Sequence, residues 1–80
     1  MKNVIFKIEL EIANARNKIT ALEEDIQFET EEAIRLAKLG DTKAIPWKSK
    51  KIELRANDLD KMDHYVRGLR TALRIAKNDN

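Results

Sequence analysis

The chain contains no cysteine, one proline, two glycines, one histidine and only four aromatic residues. Without cysteine there is neither a disulfide framework nor a thiolate zinc site, and one histidine nearly excludes a histidine-based metal site or catalytic triad. The scarcity of proline, glycine and aromatic residues argues against β-sandwiches, barrels and collagen-like folds, and it favours long helices. No apolar run approaches the roughly 18 residues that cross a bilayer.

Charge is abundant but nearly balanced, since 16 basic residues accompany 14 acidic ones. The formal net charge of +2 is therefore a weak indication of the kind of partner. An apolar fraction of 42% is too high for a fully disordered chain. The first turns are charged throughout, unlike a secretory signal. We expect a cytoplasmic protein that does not associate with membranes and that needs no cofactor and no metal.

A heptad seam runs through the first half of the chain. Alternating steps of three and four residues from Ile5 to Leu36 meet an apolar residue at nine of ten positions, and Glu29 is the exception. No glycine or proline interrupts this seam before Gly40, a residue that suits the left-handed position at which many helices end. The pattern predicts a first helix over residues 3–39.

A second seam runs from Ile45 to Ala76 and is apolar at eight of ten positions. Its two exceptions, Lys48 and Arg55, lie near its start. Pro46 is tolerated only in the first turn of a helix, so this seam predicts a second helix that begins near this proline.

The chain between the two seams is short, which makes the helices antiparallel neighbours. We predict a loop over residues 40–45 and a second helix over residues 46–77. The predicted fold class is all-α: a single domain over residues 1–80 that forms an antiparallel two-helix coiled-coil hairpin.

Folding the two seams against each other supplies a prediction of register. It puts Glu29, the only acidic seam residue, opposite the basic Arg55. A carboxylate buried without a partner is costly, so we expect this pair to set the register more than to stabilise the fold.

Each helix of a lone hairpin hides only one stripe, and apolar residues lie outside both seams. These residues predict a second interface at the end away from the loop, through which two hairpins form a four-helix bundle. The expected interface of this homodimer consists of Phe6, Leu10, Gly68, Ala72 and Ile75. The alternative is that Gly68 is merely tolerated and that single apolar surface residues are ordinary.

Like charges across the seam also favour a second chain. Three pairs of residues that are predicted to flank the seam and to face each other carry charges of the same sign: Glu23 with Asp63, Asp25 with Asp58, and Arg16 with Arg70. Such pairs mildly destabilise a lone hairpin, and they become understandable if another chain supplies the opposite sign.

Arg67, Arg70 and Arg74 recur at steps of three and four residues and form a basic stripe. Their forked donors suit phosphate or carboxylate recognition, although a solvated face near a helix C-terminus is the alternative. We expect Tyr65 beside them as an aromatic anchor, and a dimer that brings two such stripes together. Trp47 either caps the loop end or anchors a partner.

The sequence has no glycine-rich phosphate loop and no catalytic triad, and Asp60 with His64 predicts only a surface hydrogen bond. We expect a non-catalytic protein–protein interaction or regulatory module that acts as a small helical homodimer and binds another protein. The alternative is a nucleic-acid-binding hairpin that uses the basic helix face. The shape is similar to that of many small all-helical regulators and phage or plasmid accessory proteins, but shape alone does not carry function.

Overall fold

Two long helices form the fold. The computed structural model describes residues 2–78, in which α1 spans Lys2–Lys38 and α2 spans Ile45–Asn78. These residues contain no strand, and the two helices pack against each other as a hairpin that measures 61 × 14 × 12 Å. The predicted all-α class is confirmed. Each helix boundary lies one residue from the boundary expected from the sequence.

The two heptad seams form the interior of the hairpin. Each of their 20 positions is buried or half-buried, whereas most other residues in 2–78 are exposed. Within the same range, only Ala15, Glu29, Val66 and Ala76 are fully buried. The core is therefore one stripe thick, as the geometry of two helices dictates.

The end of α1 is a Schellman motif built on Gly40. This glycine has a φ of +78°, and its N–H donates to the carbonyl oxygen of Ala37 at 3.1 Å. The N–H of Asp41 donates to the carbonyl oxygen of Leu36 at 3.0 Å. These bonds satisfy carbonyl groups that the helix end leaves unpaired, which confirms the expected role of Gly40 and turns the chain back along α1.

The polar seam residues pair differently from the sequence prediction. Glu29 accepts hydrogen bonds from the Nζ atoms of Lys48 at 2.8 Å and Lys51 at 3.2 Å. Arg55 instead donates from Nε to Asp25 Oδ2 at 2.7 Å. The predicted pair of Glu29 with Arg55 does not form, because the long arginine side chain reaches a half-exposed carboxylate on the flank. The seam carboxylate is left to two lysines nearer the loop.

Candidate functional site

The side of the hairpin on which a residue lies follows from its place beside the seam. Tyr65 directly precedes the seam residue Val66, and its Oη donates to Glu11 Oε2 of the other helix at 3.0 Å. We call the side that carries this bond the tyrosine face. Arg67 directly follows Val66, and it lines a groove on the opposite side, which we call the arginine face.

The arginine face carries most of the predicted basic stripe in one shallow groove. Residues of both helices line it: Arg16, Ile19, Thr20, Glu23, Asp63, Val66, Arg67 and Arg70. A neighbouring groove toward the open end shares Arg70 and adds Arg74 and Lys77. The three arginines singled out from the sequence therefore lie together, and none of them forms an ion pair within residues 2–78.

The same groove brings like charges together. Arg16 of α1 lies across from Arg70 of α2, and Glu23 lies across from Asp63. Acidic side chains thus occupy the end nearer the middle of the rod, and arginines occupy the end nearer the open end. The arginine face offers forked N–H donors to a phosphate or a carboxylate. Among residues 2–78, the guanidinium groups of Arg67, Arg70 and Arg74 donate to no acceptor.

The tyrosine face carries most of the exposed apolar side chains. Residues 2–78 contain ten large hydrophobic side chains that are exposed. By helical position, six of the ten lie on this face: Val4, Phe28, Trp47, Leu54, Tyr65 and Ile75. They extend from the open end to the loop end, so this face carries exposed apolar side chains along the whole rod, with charged residues between them.

On α2 the tyrosine face forms a second heptad row. Steps of four and three residues lead through Trp47, Lys51, Leu54, Asp58, Lys61, Tyr65, Gly68, Ala72 and Ile75. Charged residues interrupt this row in the middle, so along the sequence its two ends look like separate groups. Continuing the same steps back from Tyr65 past Lys61 and Asp58 would have revealed it.

A groove lies at the middle of the tyrosine face. It is lined by Lys18, Ala21, Leu22, Asp25, Arg55, Asp58, Lys61 and Met62. Arg55 and Asp25 are bonded to each other, whereas Lys18, Asp58 and Lys61 form no ion pair within residues 2–78. These three charged side chains at the middle of the tyrosine face are therefore available to another molecule.

Tyr65 does not lie beside the arginine stripe. At 3.6 residues per turn, Arg67 and Arg74 point about 160° to 180° away from Tyr65 around α2. The expectation of an aromatic anchor next to the arginines is therefore wrong. It rested on closeness along the chain, and the hydrogen bond to Glu11 places the tyrosine on the opposite face.

The five residues expected in one dimer interface do not share a face. Gly68, Ala72 and Ile75 belong to the tyrosine face, whereas Phe6 directly follows a seam residue and lies on the arginine side. Leu10 lies on the back of α1, farthest from the seam. The apolar residues of α1 and those of α2 lie at the same height along the rod, but they point in different directions. A single two-fold contact therefore cannot bury both sets.

Two residues with a proposed packing role are exposed in the hairpin. Trp47 is 81% exposed, so it does not cap the turn, and its alternative role as an anchor remains a prediction. A Cβ added at Gly68 would meet no atom within 4 Å. The hairpin itself thus gives no packing reason for a glycine in the middle of α2.

The residues considered for chemistry lie at the surface. His64 Nδ1 donates to the carbonyl oxygen of Asp60 at 2.8 Å, which confirms the expected surface contact. Within residues 2–78 no three histidine or acidic side chains are placed to hold a metal ion. Over the same residues, neither helix combines the length and the apolar content that crossing a membrane requires.

Comparisons with protein-family models, with curated proteins and with solved structures find no match to this chain.

Proposed function

We propose that this chain is a non-catalytic protein-interaction module that works as a homodimer, in which the tyrosine faces of two hairpins pack into a four-helix bundle. The observation that carries the proposal is the concentration of six of the ten exposed large hydrophobic side chains on that face. Concentration of exposed apolar side chains on one face, with polar residues between them, favours an interface with another chain. A second hairpin would cover the exposed apolar side chains of this face and so add a second layer to a core that is one stripe thick.

The dimensions of the hairpin support this proposal. A face 61 Å long and 14 Å wide presents roughly 850 Å², close to the value of about 800 Å² per partner for a standard stable interface. Charged and apolar residues alternate along the face, as in an interface whose chains also exist apart.

In such a dimer the arginine face stays accessible. We place another protein with an acidic surface on Arg67, Arg70 and Arg74, and we assign the module to the cytoplasm as a small regulator of that protein. Arginine suits this task because its planar guanidinium binds a carboxylate through two parallel hydrogen bonds.

Sedimentation equilibrium over a range of concentrations tests the homodimer. We expect the wild-type chain to have twice the monomer mass of 9.3 kDa. Leu54→Glu combined with Ile75→Glu should give a monomer, because both substitutions bury a charge in the proposed interface. Phe6→Glu combined with Ile34→Glu is the matched control on the other side and should leave the dimer intact. A monomeric wild-type chain at tens of micromolar would overturn the proposal.

Nucleic acid is the second candidate for the arginine face, because Arg16, Arg67 and Arg70 share one groove. Glu23 and Asp63 in the same groove weigh against it. Binding to duplex DNA or structured RNA at about 50 mM salt should then weaken with a log–log slope of about −0.9 per phosphate contact on B-DNA. No binding at that salt concentration would eliminate this candidate.

Replacing Arg67, Arg70 and Arg74 together by glutamine separates the roles of the arginine face. Loss of acidic-partner or nucleic-acid binding by an intact dimer identifies the face as the binding site. Loss of the dimer identifies the arginines as structural. The matched control removes the same charge at the loop end, through glutamine at Lys38, Lys43 and Lys50.

A further inference from the structure

We infer that the two copies pack antiparallel, with their loops at opposite ends, about a two-fold axis that passes between Asp58 and Lys61 of α2. This inference rests on the proposed homodimer and specifies its register. It follows from the order of residues along the tyrosine face of α2. When two copies of this row run in opposite directions, the residues that face each other are complementary.

Toward both ends of the α2 row, the two-fold axis brings large side chains against small ones. Each position of the α2 row faces the position of the other copy that lies at the same distance from the axis, on its opposite side. The facing pairs are Trp47 with the partner's Ala72, Lys51 with the partner's Gly68, and Leu54 with the partner's Tyr65. Trp47 and Lys51 thus face small residues of the other copy, and Leu54 packs against an aromatic ring nearer the axis, which favours interdigitation of the two helices.

The glycine in the row gains a reason from this arrangement. Nothing within the chain lies within 4 Å of a Cβ added at Gly68. Glycine is the usual residue where another group approaches the backbone closely, and here the stem of the partner's Lys51 would pass over it.

The charges of the central groove favour the antiparallel arrangement over the parallel one. Lys18 and Lys61 line the groove toward the open end, and Asp25 and Asp58 line it toward the loop. An antiparallel two-fold axis at this position stacks α2 on α2 and puts Lys61 of each copy over the partner's Asp58, while Asp25, which is bonded to Arg55 of its own chain, lies at the level of the axis. In a parallel dimer α1 of one copy covers α2 of the other at the same level, which puts Asp58 of each copy over the partner's Asp25.

Charge reversal in separate chains tests this register. Asp58→Lys alone and Lys61→Asp alone should each raise the dimer dissociation constant by about a hundredfold or more, because each puts like charges together on both sides of the axis. An equimolar mixture of the two variants should form a heterodimer, since both pairs between positions 58 and 61 are then of opposite sign. Asp60→Lys, which lies outside the row, is the control and should leave dimerisation unchanged.

The mixture distinguishes an intermolecular effect from an effect within one helix. Residues 58 and 61 are also neighbours along α2, so a weakened dimer alone could reflect a weakened helix. Mixing does not alter either chain, and only contact between chains can restore association.

A distance measurement tests the orientation independently. The chain has no cysteine, so Asp41→Cys provides one site for a nitroxide label at the loop. The antiparallel dimer should give a distance of about 55 Å between labels, whereas a parallel dimer should give about 20 Å. A wild-type dimer with the short distance, or without rescue in the mixture, overturns the register and leaves the homodimer standing. A monomeric wild-type chain overturns both.

Discussion

Tyr65 and Glu11 join the two helices toward their open end, where the phenolic Oη of the tyrosine donates to the carboxylate Oε2 at 3.0 Å. The bond holds the tyrosine ring along the tyrosine face. It also raises the pKa of Tyr65 above its usual value of 10.0, because the neutral phenol donates to a negative acceptor, with partial burial acting in the same direction.

Removal of this acceptor should be visible in the titration of the phenol. Glu11→Ala is expected to lower the pKa of Tyr65 toward 10.0. The chain has one tyrosine, so the ultraviolet absorbance of tyrosinate reports this group alone. Glu9→Ala makes the same charge change on the other side of α1 and should leave the titration unchanged. A wild-type midpoint at 10.0 would contradict the bond.

The same raised pKa predicts a loss of stability at high pH. Because the folded pKa of Tyr65 lies above the unfolded value of 10.0, its contribution to the free energy of unfolding is complete below pH 10.0. The contribution is lost as the pH rises through the folded pKa. Urea unfolding at a series of alkaline pH values should show this decline in the wild type and a smaller one in Tyr65→Phe. Equal declines would argue against the assignment.

The seam ion pair should respond very differently to single and double substitution. Glu29→Leu or Lys48→Leu alone should lower the midpoint of thermal unfolding, because each leaves a charge without its partner in the seam. The double leucine variant should be at least as stable as the wild type, since it continues both apolar seams. Lys51→Leu, at a half-exposed position, is the control with a small effect. A double variant below both singles would contradict this reasoning.

Acid should destabilise the hairpin through Glu29. Hydrogen bonds from Lys48 and then Lys51 hold the pKa of Glu29 below its usual value of 4.5. Its stabilising contribution is therefore complete above pH 4.5 and is lost as the pH falls through the lower folded pKa. Glu29→Gln should flatten the acid limb of stability against pH, measured by urea unfolding. Glu24→Gln, an exposed control, should keep the wild-type slope, and an unchanged slope in Glu29→Gln would refute the prediction.

The two glycines should respond to alanine with opposite signs. Gly40→Ala places a side chain at a φ of +78°, which should cost about 1–2 kcal/mol. Gly68→Ala meets open space within the chain, so the higher helix propensity of alanine should add about 1 kcal/mol. Urea unfolding in the monomeric Leu54→Glu/Ile75→Glu background isolates these effects from any second copy. The same sign for both substitutions would contradict the prediction.

The course of the helices was predictable because burial in a two-helix rod depends only on residue spacing. Every position reached from Ile5 by steps of three and four is buried or half-buried in α1, including the polar Glu29. Gly40 ends that helix for a reason that is local to the backbone. Neither conclusion needs knowledge of side-chain conformation.

The partners of the charged residues were not predictable in the same way. Seam spacing fixes the level of Arg55 along the rod, but its side chain spans more than one turn and selects Asp25 on the flank. The face to which Tyr65 belongs was in principle readable, since it precedes a seam residue and Arg67 follows it. The height of a residue along the rod does not show its face. The angle around the helix does, and it separates Tyr65 from Arg67.

The tyrosine face and the arginine face lie on opposite sides of the hairpin, and this determines how many partners the proposed dimer can bind. Joining two hairpins through their tyrosine faces turns the two arginine grooves outward, on opposite surfaces of the bundle and about 20 Å apart. The two grooves therefore cannot bind the same small ligand, contrary to the expectation that dimerisation brings the two arginine stripes together. We instead expect the proposed dimer to bind two acidic partners independently and so to bridge them. With partners that carry several acidic sites, it should build cross-linked assemblies that are largest near equal numbers of sites and that dissolve in excess of either component.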